Sequence, residues 1–245
     1  MAIIEDKKKF IEEIKGKLEG KTTEEVLSTV AELVPQGVVF SSSFGLEDQV
    51  LTHLIVQNGF PVEFFTIDTG RLFNETIQLQ RRTSVLYQIK IKTYFPQGAA
   101  LEEFVNTKGQ DAFYDSIENR KECCYIRKVE PLGRALAGKE IWLTGIRRAQ
   151  SPDRANLPVI EYDQAHDIIK VHPLINWKDD ELWDYIKKYS IPYNPLHKKG
   201  YVSIGCSPCT RAIIEGEDPR AGRWWWEEGS HKECGLHIAK KGNKG

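Results

Sequence analysis

The stretch that decides the fold is VVFSSSFGLEDQVLTHLI, residues 38–55. It begins with the apolar run Val38-Val39-Phe40, continues through serines and a glycine, and ends in apolar residues at helical spacing. A short apolar run bounded by turn residues is typical of a strand buried on both faces, as in parallel sheets covered by helices. The stretch therefore predicts a strand, a loop and a helix in succession.

The same alternation continues along the chain. Further strands are predicted at Val62 to Ile67, Ile89 to Phe95, Ile141 to Leu143 and Ile168 to Val171, with a shorter piece at Pro158 to Glu161. Helices are predicted over 4–18, after the capping box of Thr22 and Glu25, and from about Leu72 to Tyr87. We therefore predict an α/β fold with a mostly parallel sheet and helices on both faces.

The pattern fades after about residue 195. Residues 216–245 are rich in glycine, tryptophan and charge, without a clear period. We expect a single domain over 1–215 and a flexible C-terminal arm over 216–245. Parallel sheets bind ligands beyond the carboxyl ends of their strands, where the strand order reverses, so functional loops are expected after Phe40, Ile67 and Leu143.

Composition and charge disfavour several classes of protein. The 34 Lys and Arg residues against 35 Asp and Glu give a net charge of −1, which disfavours a nucleic-acid coat or a binder of anionic membranes. The apolar runs fall short of the roughly 18 residues of a membrane span, and the charged first twenty residues lack the apolar centre of a signal peptide. We expect a cytoplasmic protein.

The first predicted loop suits an anionic ligand. It carries Ser42, Ser43 and Gly45 ahead of Glu47 and Asp48, at the start of a predicted helix. Such a loop offers backbone N–H groups and the positive end of the helix dipole to an anion. It is not a Walker loop, and serines that merely cap a helix explain it equally well when it is taken alone.

The second loop is Asp68-Thr69-Gly70-Arg71-Leu72, directly after a predicted strand. Its carboxylate can accept hydrogen bonds from a ribose hydroxyl or an adenine amine, or Asp68 and Thr69 can simply cap the next helix. Two such loops after neighbouring strands favour a nucleotide cleft.

The third loop runs from Gly145 to Arg154 and contains Arg147. Guanidinium groups bind phosphate and sulfate oxygens through paired donors, although arginines more often form a solvated surface. The position at a predicted strand end favours anion binding.

Five cysteines divide into two pairs and one single residue. Cys123 and Cys124 are adjacent, and Cys206 and Cys209 form a Cys-x-x-Cys. Four thiolates can hold zinc or an iron–sulfur cluster. Adjacent cysteines suit the separate iron corners of a cubane better than a single zinc ion, and four unliganded thiols are the remaining alternative. Cys234, which lies among charges and glycines, is predicted to be an exposed nucleophilic thiol and not an inert core thiol.

Five motifs together resemble those of the assimilatory adenylyl-sulfate (APS) reductases, which depend on thioredoxin and belong to the PAPS/APS reductase family. They are Ser-Ser-Phe-Gly-Leu-Glu-Asp at 42–48, Asp-Thr-Gly-Arg-Leu-Phe at 68–73, Cys-Cys-Tyr-Ile-Arg-Lys at 123–128, Ser-Ile-Gly-Cys-Ser-Pro-Cys-Thr at 203–210 and Glu-Cys-Gly-Leu-His at 233–237. The resemblance covers about 38–240 and implies a fold like that of the adenine nucleotide alpha hydrolases.

The resemblance also implies a site and a reaction. It implies a [4Fe-4S] cluster on Cys123, Cys124, Cys206 and Cys209. Cys234, Lys128 and His237 would be catalytic, with Arg220 and Arg223 near the phosphosulfate. APS would be reduced to sulfite and AMP through a Cys234 S-sulfocysteine that thioredoxin discharges, as a step of sulfate assimilation and cysteine biosynthesis. The residues expected to bind substrate are Ser42, Ser43, Gly45, Glu47, Asp48, Asp68, Thr69, Gly70, Arg71, Leu72, Gly145, Arg147, Arg154, Arg220 and Arg223.

The expected partners are APS, thioredoxin and further copies of the chain in a homo-oligomer, without nucleic acid or membrane. A reductase of phosphoadenylyl sulfate (PAPS), or of both nucleotides, is the nearest alternative; PAPS reductases share the 233–237 motif but typically lack the four paired cysteines. A tRNA-thiolating ATP pyrophosphatase would need a Ser-Gly-Gly-x-Asp-Ser loop, which residues 41–48 do not provide. A zinc module that binds nucleic acid fits poorly with a near-neutral charge and a large α/β core.

Overall fold

The computed structural model describes residues 6–151 and 154–227. The chain divides into two compact units, of which the first comprises Met1–Phe65, Gln78–Lys92 and Leu136–Asn194, and the second Thr66–Ile77, Thr93–Ala135 and Pro195–Gly245. No helix in the described ranges is both long and apolar enough to span a bilayer. The division at residue 215 into a domain and an arm stays a prediction.

Six strands form one sheet, and its strand order creates a switch point. The strands are β1 Val38–Ser41, β2 Glu63–Ile67, β3 Ile91–Tyr94, β4 Ile141–Leu143, β5 Ile160–Asp163 and β6 Ile168–Val171, in the order β3-β2-β1-β4-β6-β5. β1 pairs in parallel with β2 and β4, β4 pairs in parallel with β6, and β5 runs antiparallel to β6. The order reverses between β1 and β4, and the predicted mostly parallel α/β fold is confirmed.

The helices confirm the predicted ones and add others. They are α1 Lys7–Leu18, α2 Thr23–Leu33, α3 Leu46–Gln57, α4 Asn74–Tyr87, α5 Gly98–Lys108, α6 Ile117–Cys124, α7 Glu130–Leu136 and α8 Asp179–Lys188. The capping box is present, since Thr22 Oγ1 accepts from the Glu25 amide and Glu25 accepts from the Thr22 amide. α4 begins at Asn74, two residues after the start predicted at about Leu72, because Leu72 instead forms a bridge with Cys206.

Successive residues of a strand point to opposite faces of a sheet, and here the two faces differ. One face packs Phe40, Leu143 and Val171 into the main hydrophobic core. The other face of the first unit carries Trp142 and Lys170, which are buried as well. The inner strands are therefore covered on both faces, and the loops at their carboxyl ends rest on a rigid base.

The second unit has a smaller core built on α5 and α6. It gathers Phe104, Phe113 and Trp224 with Cys123, Cys124, Cys206 and Cys209. A π-helical turn, Tyr125–Val129, follows α6 and is closed by the Glu130 amide donating to the Tyr125 carbonyl. Such single π turns often mark functional positions.

Candidate active site

The loop after β1 is folded onto the start of α3. The Ser43 amide and Oγ both donate to Asp48 Oδ2, at 2.6 and 2.7 Å, and the Phe44 amide donates to Ser42 Oγ. Phe44 takes a φ of +62°, which turns the backbone sharply. Burial raises the pKa of Asp48 to about 6 against the opposing effect of the Ser43 donors. Asp48 thus fixes the shape of the loop.

The loop after β4 packs directly on the loop after β1. A Cβ added to Gly145 would lie 2.5 Å from Asp48 Oδ1 and 3.0 Å from the Cβ of Glu47. This close approach requires glycine. Two of the three predicted loops, those after Phe40 and Leu143, therefore meet at the switch point within the first unit.

Arg147 is engaged by protein groups. Its Nε and Nη2 donate to Glu47 Oε1 at 2.9 and 2.7 Å, Nη2 also to Asp179 Oδ1 at 2.7 Å, and Nη1 to the Trp177 carbonyl at 3.0 Å. Because four of about five guanidinium N–H bonds are used, Arg147 holds the loop in place. Gln150 adds a bond to the same Glu47 oxygen and accepts one from Arg154. The predicted contact of Arg147 and Arg154 with a substrate anion stays a prediction.

The four paired cysteines lie together in the second unit. Cys123, Cys124, Cys206 and Cys209 are each at most 9% exposed, and all line one cavity. Four cationic side chains line the same cavity, namely Arg71, Arg120, Arg127 and Lys128. A group that carries negative charge would be stabilised there.

The loop Asp68 to Leu72 packs against the short turn that begins at Cys206 and continues through Ser207–Cys209, called the Cys206 turn below. Thr69 Oγ1 lies 3.3 Å from Cys206 Sγ, and the Ser207 amide donates to the Arg71 carbonyl at 2.8 Å. Gly70 takes a φ of +71°, and its amide donates to Asp68 Oδ1. The nucleotide-binding role predicted for this loop stays a prediction, while its contact with a cysteine was not predicted.

Burial and neighbouring charges shift the pKa values of Cys206 and Cys209 in opposite directions. Burial alone would raise the pKa of Cys206, but Lys128, Thr69 and Arg223 favour the thiolate and lower the pKa below its ordinary value. Burial raises the pKa of Cys209 to about 12 and also raises that of Cys123. The Lys128 ammonium therefore acts on the cysteine pocket, which agrees with its position in the Cys123 to Lys128 motif.

Arg127 and Arg120 are site residues that the sequence analysis missed. Arg127 is 6% exposed and donates to the Thr69 carbonyl at 2.6 Å, and its Nε has no hydrogen-bond partner among the described residues. Arg120 forms two bonds to Glu227, at 2.7 and 2.9 Å. The available signal was the spacing of Cys123 and Arg127, four residues apart at the end of a helix.

Arg223 lies next to the Cys206 turn in the second unit. It is 7% exposed, stacks on the Trp224 ring at 4.8 Å and donates to Ser203 Oγ at 3.3 Å. Its guanidinium group lies directly against Gly205, so a Cβ added there would displace the Arg223 side chain. Arg220 is half-buried, and its amide donates to Asp218. The structure thus places Arg223 beside the Cys206 turn.

Two predicted site residues, Cys234 and His237, lie outside the described residues. Within 6–151 and 154–227, no group of three or more His, Cys, Asp or Glu side chains is arranged to hold a metal ion. The four paired cysteines are present as thiols and form no disulfide in this part of the chain.

Loops packed at a switch point are common to open α/β sheets, and the solved structures that share the fold of this chain include a reductase and adenylyltransferases. A solved structure of FMN adenylyltransferase from Candida glabrata shares this fold, with a TM-score of 0.54 at 18% identity over 92% of this chain and 76% of that one. Residues 37–212 match the model of the phosphoadenosine phosphosulfate reductase domain. The chain belongs to the phosphoadenosine phosphosulfate reductase family, which confirms the resemblance found from the motifs.

Curated relatives cover most of the chain. The adenosine 5'-phosphosulfate reductase of Allochromatium vinosum is 49% identical over 87% of this chain and 83% of its own length. That of Sinorhizobium fredii strain NGR234 is 47% identical over 93% of this chain and 90% of its own. The crystal structure of the PAPS reductase from Candida auris, a phosphate complex, is 30% identical, with a TM-score of 0.73 over 86% of this chain and all of that one.

Proposed function

We propose that this chain reduces adenosine 5'-phosphosulfate to sulfite and AMP. The observation that carries the proposal is the pocket of four buried cysteines bordered by four cations, in a chain whose relatives at 47–49% identity are named adenosine 5'-phosphosulfate reductases. The reductase fold supplies the nucleotide loops, and the cysteines distinguish the chain from the PAPS reductases that typically lack them.

The cofactor proposed is a [4Fe-4S] cluster on Cys123, Cys124, Cys206 and Cys209. The donor set suits such a group by its chemistry, because four thiols line one buried cavity and adjacent cysteines can reach separate irons, although the described thiols are not arranged around a single metal-ion position. Arg127 and Lys128 would offset part of the charge of four thiolates, whereas Arg71 and Arg120 are already paired with Asp111 and Glu227. When bound, the cluster would supply a fixed charged centre, since the two electrons that reduce the sulfur come from thiols.

The residues proposed to bind substrate are those of the three loops and of the Asp218–Arg223 turn. Ser42, Ser43, Gly45, Glu47, Asp48, Gly145, Arg147 and Arg154 belong to the first unit, and Asp68, Thr69, Gly70, Arg71, Leu72, Arg220 and Arg223 to the second. In this proposal the fixed arginines stabilise oxygens that gain negative charge as the sulfur–oxygen bond breaks.

The reaction proposed proceeds through Cys234. Its thiolate attacks the sulfate sulfur, an S–S bond forms, and the S–O bond to AMP breaks so that AMP leaves with that electron pair. Lys128, Arg220 and Arg223 stabilise the departing charge, and His237 joins them. A thioredoxin thiolate then attacks the Cys234 sulfur and releases sulfite, and the second thioredoxin thiol frees the Cys234 thiolate as its own disulfide closes. Sulfur gains two electrons and thioredoxin loses two.

The experiment that tests this function compares sulfite release from APS and from PAPS with thioredoxin as reductant. We expect higher kcat/KM for APS, because a 3'-phosphate adds about −1.5 to −2 charges that need their own cationic pocket. Equal values for both nucleotides would identify a dual reductase, and release from PAPS alone would contradict the proposal. Cytoplasmic location is proposed because thiols that hold a cluster must stay reduced.

The homo-oligomer stays a prediction.

A further inference from the structure

A buried polar layer lies on the face of the sheet opposite the main core. Lys170 and His172 alternate on and just after β6, and they are 3% and 0% exposed. The same face carries Trp142 and Glu161, the strand neighbours of Lys170. The proposed reaction uses none of these side chains. Burial of charged and polar groups costs free energy unless they are paired, so the pairs in this layer offset the cost of burying these side chains.

His172 joins the β5–β6 hairpin to the loop after β4. Its Nε2 lies 3.3 Å from Glu161 Oε1, and its Nδ1 lies 2.6 Å from Thr144 Oγ1. A carboxylate only accepts, so Nε2 carries a hydrogen. Burial lowers the pKa of His172 and favours the neutral ring, in which Nδ1 accepts from the Thr144 hydroxyl. The Thr144 oxygen in turn faces the Ile146 amide at 3.4 Å. The hydrogen bonds therefore form a chain in which every donor points towards Glu161, from the Ile146 amide through the Thr144 hydroxyl and the His172 ring.

A second branch reaches the end of β1. Lys170 forms ion pairs with Asp163 and Glu161, at 3.1 and 3.5 Å, and its Nζ lies 4.9 Å from the centre of the Trp142 ring. Trp142 Nε1 donates to Ser41 Oγ at 2.7 Å. Ser41 directly precedes the loop that carries Ser42 and Ser43. The hairpin is thus connected to both loops at the switch point.

We propose that the β5–β6 hairpin positions these loops, and that His172 and Thr144 are positioning residues for the sulfonucleotide. This inference rests on the proposed function, since it takes the loops as part of the substrate site. Thr144 directly precedes Gly145, whose backbone packs on Asp48. A backbone anchored at Thr144 therefore fixes Gly145 and the start of the Arg147 loop.

The matched variants Thr144→Val and Thr144→Ser test this role. Valine keeps the shape of threonine but cannot donate to His172, whereas serine keeps the hydroxyl. We expect Thr144→Val to raise KM for APS by about tenfold, because a loop misplaced by a fraction of an ångström binds less well. We expect kcat to change by about twofold or less, and Thr144→Ser to restore KM to within about twofold of wild type.

Urea unfolding of each variant measures the fraction of protein that is folded under the conditions of the activity assay. The side chain of Glu161 is 29% exposed, so Glu161→Ala breaks the same chain of bonds from the surface if Thr144→Val fails to fold. A KM like that of wild type in a folded Thr144→Val or Glu161→Ala variant, with lower stability alone, would overturn the positioning role.

The failure of the proposed function gives a different result. In that case the wild-type enzyme releases no sulfite from APS. The same variants are then compared by calorimetric titration with AMP. Weaker AMP binding by Thr144→Val than by Thr144→Ser supports the positioning role, and equal binding by both and by wild type overturns it.

Discussion

Gly145→Ala tests the packing of the two switch-point loops. The added Cβ would lie 2.5 Å from Asp48 Oδ1, whereas ordinary contact begins at 3.4 Å, so one loop must move by about 0.9 Å. Asp48 cannot simply rotate away, because its other oxygen accepts two hydrogen bonds from Ser43. Overpacking of this kind costs about 1–3 kcal/mol.

Two measurements report this displacement. Thermal unfolding should show a melting temperature lower by about 2–4 °C for each kcal/mol in a chain of this size. Sulfite release from APS should show kcat/KM lower by up to about 100-fold, because displacement of a substrate-positioning loop by nearly 1 Å costs that much.

Gly133→Ala is the matched control. Gly133 lies in α7, and a Cβ there meets no atom within 4 Å. Alanine favours a helix over glycine by about 0.5–1 kcal/mol, so this variant should be as stable as wild type or more so, with unchanged activity. If Gly145→Ala matches wild type in both melting temperature and kcat/KM, the contact with Asp48 does not fix the loop, and the reasoning fails.

Three further predictions concern the cysteines and Asp48. Cys206→Ser should lose iron, sulfide and sulfite release together, and analysis of wild type should find about four irons per chain; stoichiometric zinc in active, anaerobically prepared protein would contradict this. APS added without thioredoxin should place one SO3 group on the Cys234 peptide and release AMP, while Cys234→Ser should keep the cluster and form no adduct; an adduct on another cysteine would refute the mechanism. Urea unfolding should show that wild type gains stability relative to Asp48→Asn as pH falls from 8 towards 5. The buried Asp48 carboxyl, with a pKa of about 6, takes up a proton in this range, whereas the same carboxyl in the unfolded chain, with its ordinary pKa of 3.8, does not. A gain in stability with rising pH would refute the assignment.

Local patterns in the sequence predict the parts of the fold that local interactions determine. The capping box of Thr22 and Glu25 joins residues three apart, and the strand Val38 to Phe40 follows from its own apolar run. The start of α4, two residues later than predicted, has the opposite cause. Leu72 is held extended by its bridge to Cys206, and no pattern near Leu72 contains that partner.

The site shows the same limit. Residue types and positions at strand ends predict the loops that meet at Gly145, because carboxyl ends of parallel strands share one edge of a sheet. The ion pair of Arg147 with Glu47 spans 100 residues, and the bond of Arg127 to Thr69 spans 58. An isolated arginine gives no sign of which distant carboxylate or carbonyl it will meet, so partners of this kind emerge only from the folded chain.

This difference changes how the arginines of the chain are interpreted. The sequence predicts that Arg147 binds an anion, but most of its N–H groups are used by Glu47, Asp179 and Trp177, so its charge is already balanced inside the first unit. Arg127 has a buried Nε without a partner in the described ranges and borders the cysteine pocket. A buried donor left unpaired costs about 1–3 kcal/mol, and an acceptor supplied by a bound group would recover that cost. Arg223 also has a buried Nε without a partner among the described residues, so Arg127 and Arg223 are both proposed to face a bound anionic group, although the motif alone directed attention to Lys128.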